Sequence, residues 1–171
     1  MHYISLLLLC FWTTANAQMS FTDYYLESIQ RTHDYTVELI EIMPESKFDY
    51  RPVQEVNTFH DQVTHIIKNI GFLQTYLTGY RDSPIRDMDL ESNSKEELLN
   101  NLELAFNHLK GLTRNLSDGE LSASVNFFKK DVQMDKRAIL LLIKNHMTLH
   151  QGQLIMYLRL IGLTPPKFNG Y

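Results

Sequence analysis

The stretch Asn145-His-Met-Thr-Leu-His-Gln-Gly-Gln153 lies inside a long segment of helical periodicity, from Asp135 to Pro166. His146 and His150 are four residues apart, so on a helix their side chains lie one above the other on the same face. That face is otherwise mostly apolar, which predicts that both imidazoles point into the protein. It comprises Ile139, Ile143, His146, His150, Gln153 and Tyr157, with Leu142 at its border.

Two stacked imidazoles on an inward face need partners, because each neutral ring carries one donor and one acceptor and two cations would repel each other. A shared metal ion would meet this need by taking one nitrogen of each ring as a ligand. The spacing alone leaves a second interpretation open, in which each histidine forms a hydrogen bond to a neighbouring helix. No Glu follows His146, so the pattern differs from the H-E-x-x-H of metalloproteases.

The N-terminus combines a short apolar run, Ile4 to Trp12, with the small-residue triplet Ala15-Asn16-Ala17. The run is too short for a bilayer, which needs about 20 residues, whereas the triplet fits the A-x-A rule of secretory cleavage sites. We therefore expect a signal peptide over residues 1–17, cleaved after Ala17, and a secreted or periplasmic protein. An uncleaved anchor is the alternative. Residues 18–171 suit a single domain.

Composition narrows the classes of partner. The only cysteine, Cys10, lies in the N-terminal segment, so the mature chain would have no disulfide and no thiolate ligand. The net charge of −4, without a basic block, argues against nucleic acid as a partner. Charged residues interrupt even the most apolar helix, so we expect no stable membrane span after signal cleavage.

Three further helices are indicated by apolar residues at helical spacing, each preceded by a Ser or Thr that can cap its first turn. The capping sequences are Ser20 to Asp23, Thr58 to Asp61 with Asn57 as a competing cap, and Ser94 to Glu97. Gly162 and the prolines after it should end the last helix. No segment alternates strongly enough for a sheet, although Ser122 to Gln133 could hold a short extended piece. Four amphipathic helices in one domain predict an all-α four-helix bundle.

Two motifs resemble those of a known family. The pattern H-x-x-x-H-Q-G-Q-L-x-x-Y-L-R-x-x-G-x-x-P-P, from His146 to Pro166, closely resembles the terminal helix of the DinB/YfiT-like superfamily. The segment from Arg51 to His65, with its R-P, T-F and closing histidine, resembles the start of helix two in that family. The resemblance extends over the mature chain in helix order and spacing. It implies a bundle in an up-down-down-up arrangement.

The resemblance also implies a divalent metal held by one histidine of helix two and the pair of the last helix. In this chain the three ligands would be His65, His146 and His150. Three imidazoles without a thiolate leave coordination positions open, which is the pattern of catalytic rather than structural zinc. We expect zinc or nickel, with manganese or iron as further candidates, because each accepts nitrogen ligands. His33 and His60 are fallback ligands; otherwise His60 should be exposed.

Three polar residues could orient a ligand or a substrate beside the metal. Gln153 lies one turn beyond His150, and Asn69 and Tyr157 are weaker candidates for the same role. A proton acceptor is harder to assign. Asp61 is the nearest carboxylate in sequence to His65, but an acidic residue in a first turn more often caps its helix.

Similar family members transfer groups to or from low-molecular-weight thiols, and others are described as hydrolases. The resemblance therefore implies a metal-dependent hydrolase or thiol transferase of unknown small-molecule substrate, and the N-terminal segment predicts that it is exported. Export argues against thiol transfer, because the characterised thiol cofactors are cytosolic. One alternative is a non-catalytic bundle that binds a metal or a small ligand. Another is a structural bundle whose histidines are satisfied by hydrogen bonds. Family members often form dimers, so a homodimer also stays open.

Overall fold

Four long helices dominate the protein, as the sequence predicts. A computed structural model describes residues 19–79, 83–128 and 131–168, and the expected signal peptide over residues 1–17 lies outside them. The long helices are α1 (Phe21–Ile42), α2 (Phe59–Thr78), α3 (Lys95–Arg114) and α5 (Lys136–Leu160), and a one-turn helix α4 (Asp118–Leu121) follows α3. None of the helices in the described ranges is both long and apolar enough to span a membrane.

The predicted caps begin the helices. The Ser20 hydroxyl accepts a hydrogen bond from the amide of Asp23 at 3.0 Å and so caps α1. At α2, the Thr58 hydroxyl accepts from the Asp61 amide at 3.0 Å, and the Asp61 carboxylate accepts from the Thr58 amide at 3.2 Å. This reciprocal pair is a complete capping box, so Thr58 and not Asn57 is the cap.

The end of α5 is fixed by a glycine in the left-handed region. Gly162 has φ of 82°, which a residue without Cβ adopts readily. Its amide donates to the carbonyl of Arg159 at 3.0 Å, and the next amide, that of Leu163, donates to the carbonyl of Leu158 at 2.9 Å. These two bonds satisfy carbonyls that the helix end would otherwise leave open. The last turn therefore closes close to the position that the sequence predicts.

The helices form a ring in which α1 packs on α3 and α5, and α2 packs on α3 and α5. Helix α5 runs parallel to α1, because the Arg137 guanidinium in the first turn of α5 lies over the ring of Phe21 at the start of α1, and Gln151, further along α5, donates to the carbonyl of Thr32 at 2.8 Å.

Helix α3 runs antiparallel to α1. The ammonium of Lys95 donates to the carbonyl of Glu41 at 2.8 Å, and the ammonium of Lys110 donates to the Gln30 amide oxygen at 2.8 Å. Helix α2 is antiparallel to α5, since Asn57 meets Tyr157 at one end of their contact and the residue pair 65 and 146 lies further along. The directions of the four helices confirm the up-down-down-up bundle.

A short strand lies in the segment Ser122 to Gln133, where the sequence leaves an extended piece open, but its pairing with a second strand in a small sheet was not predicted. Strand β1 (Ser124–Asn126) pairs antiparallel with β2 (Gln133–Asp135), with Val125 opposite Met134. Strands this short span too few residues to show a two-residue periodicity. Phe127 and Phe128 follow β1 and contact aromatic rings of α2, so the hairpin covers the C-terminal part of that helix.

Candidate metal centre

Three imidazoles from two helices meet in the α2–α5 interface. His65 comes from α2, and His146 and His150 come from α5. Nε2 of His146 lies 3.4 Å from Nε2 of His65 and 3.2 Å from Nε2 of His150. The three candidate ligand atoms all lie within 4.8 Å of one another. The antiparallel packing of α2 on α5 therefore brings His65 beside His146 and His150.

These separations fit a shared cation. In a tetrahedral site with Zn–N bonds of about 2.0–2.1 Å, neighbouring nitrogens lie about 3.3–3.4 Å apart. A neutral Nε2–H of His146 could donate to only one of the two facing nitrogens, and the other contact would then set two ring nitrogens together without a proton between them. A cation would satisfy all three lone pairs at once.

His150 is oriented by two side-chain amides. Its Nδ1 lies 2.8 Å from Oε1 of Gln62 and 2.6 Å from Oε1 of Gln153. Both partners are acceptors, so Nδ1 carries the proton and the lone pair of Nε2 faces the other two histidines. Gln153 was a candidate for this role from the sequence, and Gln62 was not. The available signal was its position three residues before His65, on the same side of α2.

The surroundings of His146 favour the neutral ring. Burial, followed by the neighbouring His150 and His65, lowers the pKa of His146 to about 4. Burial also lowers the pKa of His150, and this effect is partly offset by the hydrogen bond to Gln153. Both rings are therefore neutral at pH 7, which is the protonation state that binds metals.

The two fallback histidines lie elsewhere. His33 contacts carboxylates on both ring nitrogens, with Nε2 2.8 Å from Glu103 and Nδ1 3.1 Å from Asp34. His60 is only 6% exposed, and its Nε2 lies 2.9 Å from the carbonyl of Ser92. The expectation that His60 is exposed is therefore wrong, because the connector before α3 folds over the first turn of α2.

Tyr157 and Asp61 hold the scaffold and do not contact the imidazoles. The Tyr157 hydroxyl donates to the carbonyl of Asn57, and its ring packs edge-on against Phe59 with centroids 6.3 Å apart. The Asp61 carboxylate belongs to the capping box, and hydrogen bonds from Thr58 lower its pKa. We therefore assign Asp61 to the helix start and not to proton transfer.

A cavity on the other side of α2 does not contain the histidines. It has a volume of about 450 Å³, lies between α2 and the connector at residues 83–91, and is lined in part by Lys68 and Phe72. These residues lie on the outer side of α2, whereas His65 turns towards α5. The candidate metal ligands therefore lie in the α2–α5 interface and do not line this cavity.

The fold and the imidazole cluster define a four-helix bundle with a set of side chains suited to a divalent metal. The sequence model of the DinB family matches residues 18–171, and the chain belongs to that family. Among proteins with curated descriptions, none matches the sequence significantly.

Solved structures share this fold at low sequence identity. A DinB-like protein from Bacillus cereus has a TM-score of 0.72 and 16% identity, covering 84% of this chain and 94% of its own. The DinB-like protein YjoA from Bacillus subtilis has a TM-score of 0.69 and 20% identity, covering 85% and 97%. YfiT from Bacillus subtilis has a TM-score of 0.65 and 16% identity, covering 89% and 95%, and is described as a probable metal-dependent hydrolase with an unusual four-helix bundle topology.

Proposed function

We propose that this protein is a metal-dependent hydrolase whose divalent cation is held by His65, His146 and His150. The observation that carries the proposal is the convergence of three imidazoles, in which Nε2 of His146 lies 3.4 Å from Nε2 of His65 and 3.2 Å from Nε2 of His150. The description of YfiT supports the same reaction class for a protein of similar fold. Zinc or nickel suits three nitrogen ligands without a thiolate, and manganese or iron is a weaker candidate.

The chain's own residues would prepare the site for hydrolysis. A bound divalent cation supplies Lewis acidity, which activates water and polarises a substrate oxygen. Three protein ligands leave coordination positions for water and substrate, as in catalytic zinc sites. Gln62 and Gln153 hold His150 in the tautomer whose Nε2 is free to coordinate. Burial lowers the pKa of His146 to about 4, so this ligand needs no deprotonation at pH 7.

Hydrolysis can be tested on metal-depleted protein to which single metals are returned. We expect turnover of ester or amide probes to appear only with metal and to saturate near one ion per chain. His150→Ala should abolish it, whereas His33→Ala, which alters a histidine outside the cluster, should retain most of it. Turnover of thiol-adduct probes in place of the ester and amide probes would indicate group transfer and not hydrolysis. Stoichiometric metal without turnover of any probe would instead favour a non-catalytic binding protein.

We further propose that the protein is exported and that residues 1–17 are removed. The support is the short apolar run followed by Ala15-Asn16-Ala17. Intact-mass measurement of the protein recovered outside the cytoplasm should give a chain that begins at Gln18. A protein that retains Met1 and sediments with membranes would point to an uncleaved anchor.

A further inference from the structure

Two buried polar atoms near the histidine cluster have no hydrogen-bond partner among the described residues. They are Nδ1 of His146, on α5, and Oδ1 of Asn69, on α2. Buried polar groups in proteins are nearly always paired, because an unpaired one loses its hydration without compensation. Each of these atoms therefore calls for a partner, and the two are chemically complementary.

The His146 atom is a donor whenever the ring binds a cation through Nε2. Its Nε2 is the atom that faces His65 and His150, at 3.4 Å and 3.2 Å. A neutral imidazole has one N–H, so a coordinating Nε2 leaves the proton on Nδ1. The Oδ1 atom of Asn69 can only accept. His146 thus offers an Nδ1–H donor and Asn69 offers an Oδ1 acceptor, and neither has a partner among the described residues.

Helix geometry places the two residues about one helical turn apart along the α2–α5 contact. Along the antiparallel α2–α5 contact, Gln62 meets His150 and His65 meets His146. Asn69 lies one turn beyond His65 on the same face of α2. Helical side chains lean towards the N-terminus of their own helix, so His146 leans along α5 towards the level of Asn69.

We propose that Asn69 is a positioning residue for His146, whose Nδ1–H it accepts directly or through one bridging water. The inference rests on the metal site proposed above. It gives His146 the kind of support that Gln62 gives His150. Helix α2 would then contribute one ligand, His65, with a carboxamide on each side that orients one ligand of α5. Such outer partners hold a ring at the angle that coordination requires.

The test is the affinity of metal-depleted protein for Zn²⁺ alone, measured by competition with a chromophoric chelator. Asn69→Leu removes the acceptor and should weaken binding by about 10- to 100-fold. Asn69→Asp keeps an acceptor oxygen and should bind nearly as tightly as the unmodified protein. Gln74→Leu is the matched control, because Gln74 is also on α2 and also has a buried, unpaired amide oxygen, but its amide nitrogen bonds Ser83. The affinity of the Gln74→Leu variant for Zn²⁺ should equal that of the unmodified protein.

Two outcomes of this affinity assay would overturn the inference. Unmodified protein that binds no Zn²⁺ would overturn the metal site and this inference with it. Unmodified protein that binds Zn²⁺, with Asn69→Leu equal to Gln74→Leu, would overturn the role of Asn69 alone. A second measurement needs no variant: nitrogen-15 spectra of the zinc-loaded protein should show a protonated, slowly exchanging Nδ1 on His146. Rapid exchange of that proton with solvent would contradict the proposal.

Discussion

Replacing His146 with alanine is expected to reduce the metal content of the purified protein from about one ion per chain to near zero. His146 is the central ligand, since its Nε2 is the atom within 3.4 Å of both other histidines. Losing a direct ligand should cost more than the roughly 10- to 100-fold in affinity that follows from losing an outer partner. The measurement is element analysis of protein purified without an affinity tag, because tag histidines bind metals themselves.

The matched comparison uses two histidines of α2. His65→Ala should lose the metal as His146→Ala does, whereas His60→Ala should retain it, because His60 is engaged with the carbonyl of Ser92. His60→Ala also removes a buried imidazole, so it controls for general damage to the helix. Full metal occupancy in His65→Ala would show that α2 does not contribute the ligand that we assign. Equal occupancy in all variants would mean that these histidines do not hold the metal, and a metal-free unmodified protein would mean that they are satisfied by hydrogen bonds alone.

Replacing Phe59 with alanine should lower the free energy of unfolding by about 3–5 kcal/mol. The Phe59 side chain is 0% exposed at the first turn of α2. Its ring stacks on Phe48 with centroids 5.7 Å apart and meets Tyr157 from α5. Truncation would remove this apolar area and leave a cavity that the surrounding rings cannot fill. Urea unfolding of metal-free protein measures the change without a contribution from bound ions.

Phe72 provides the control on the same helix. It is 46% exposed, so Phe72→Ala should change the free energy of unfolding by no more than about 1 kcal/mol. Both variants should keep the denaturant dependence of the unmodified protein, which reflects the surface exposed on unfolding. A loss at Phe59 no larger than that at Phe72 would show that the contact of Phe59 with Phe48, which lies between α1 and α2, and with Tyr157 of α5 is not part of the core.

The elements that local sequence encodes could be predicted. A cap depends on residues within one turn, and for this reason Ser20, Thr58 and Ser94 mark helix starts correctly. The helix-stopping role of Gly162 is equally local. The assembly of His65 with the α5 pair was a different inference, because it rested on similarity to a family. Spacing alone left hydrogen bonding to a neighbouring helix open as the alternative.

The features that sequence analysis missed depend on contacts between distant segments. Gln62 approaches His150 across 88 positions of sequence, and the connector that buries His60 comes from 32 positions further along. Tyr157 has the spacing of a residue near the metal, yet its hydroxyl reaches the carbonyl of Asn57. Helical periodicity tells which face a side chain occupies, but it does not tell which neighbour that face meets.

The histidine cluster joins two helices whose contacting residues lie 81 positions apart. No partly synthesised or partly folded chain that lacks α5 can therefore assemble it, and metal capture has to follow completion of the bundle. The affinities of divalent metals for a given site follow a common order, so metal availability, together with geometry and ligand type, selects the ion that is bound. An ion held at the proposed site should accordingly reflect the compartment in which the last helix docks.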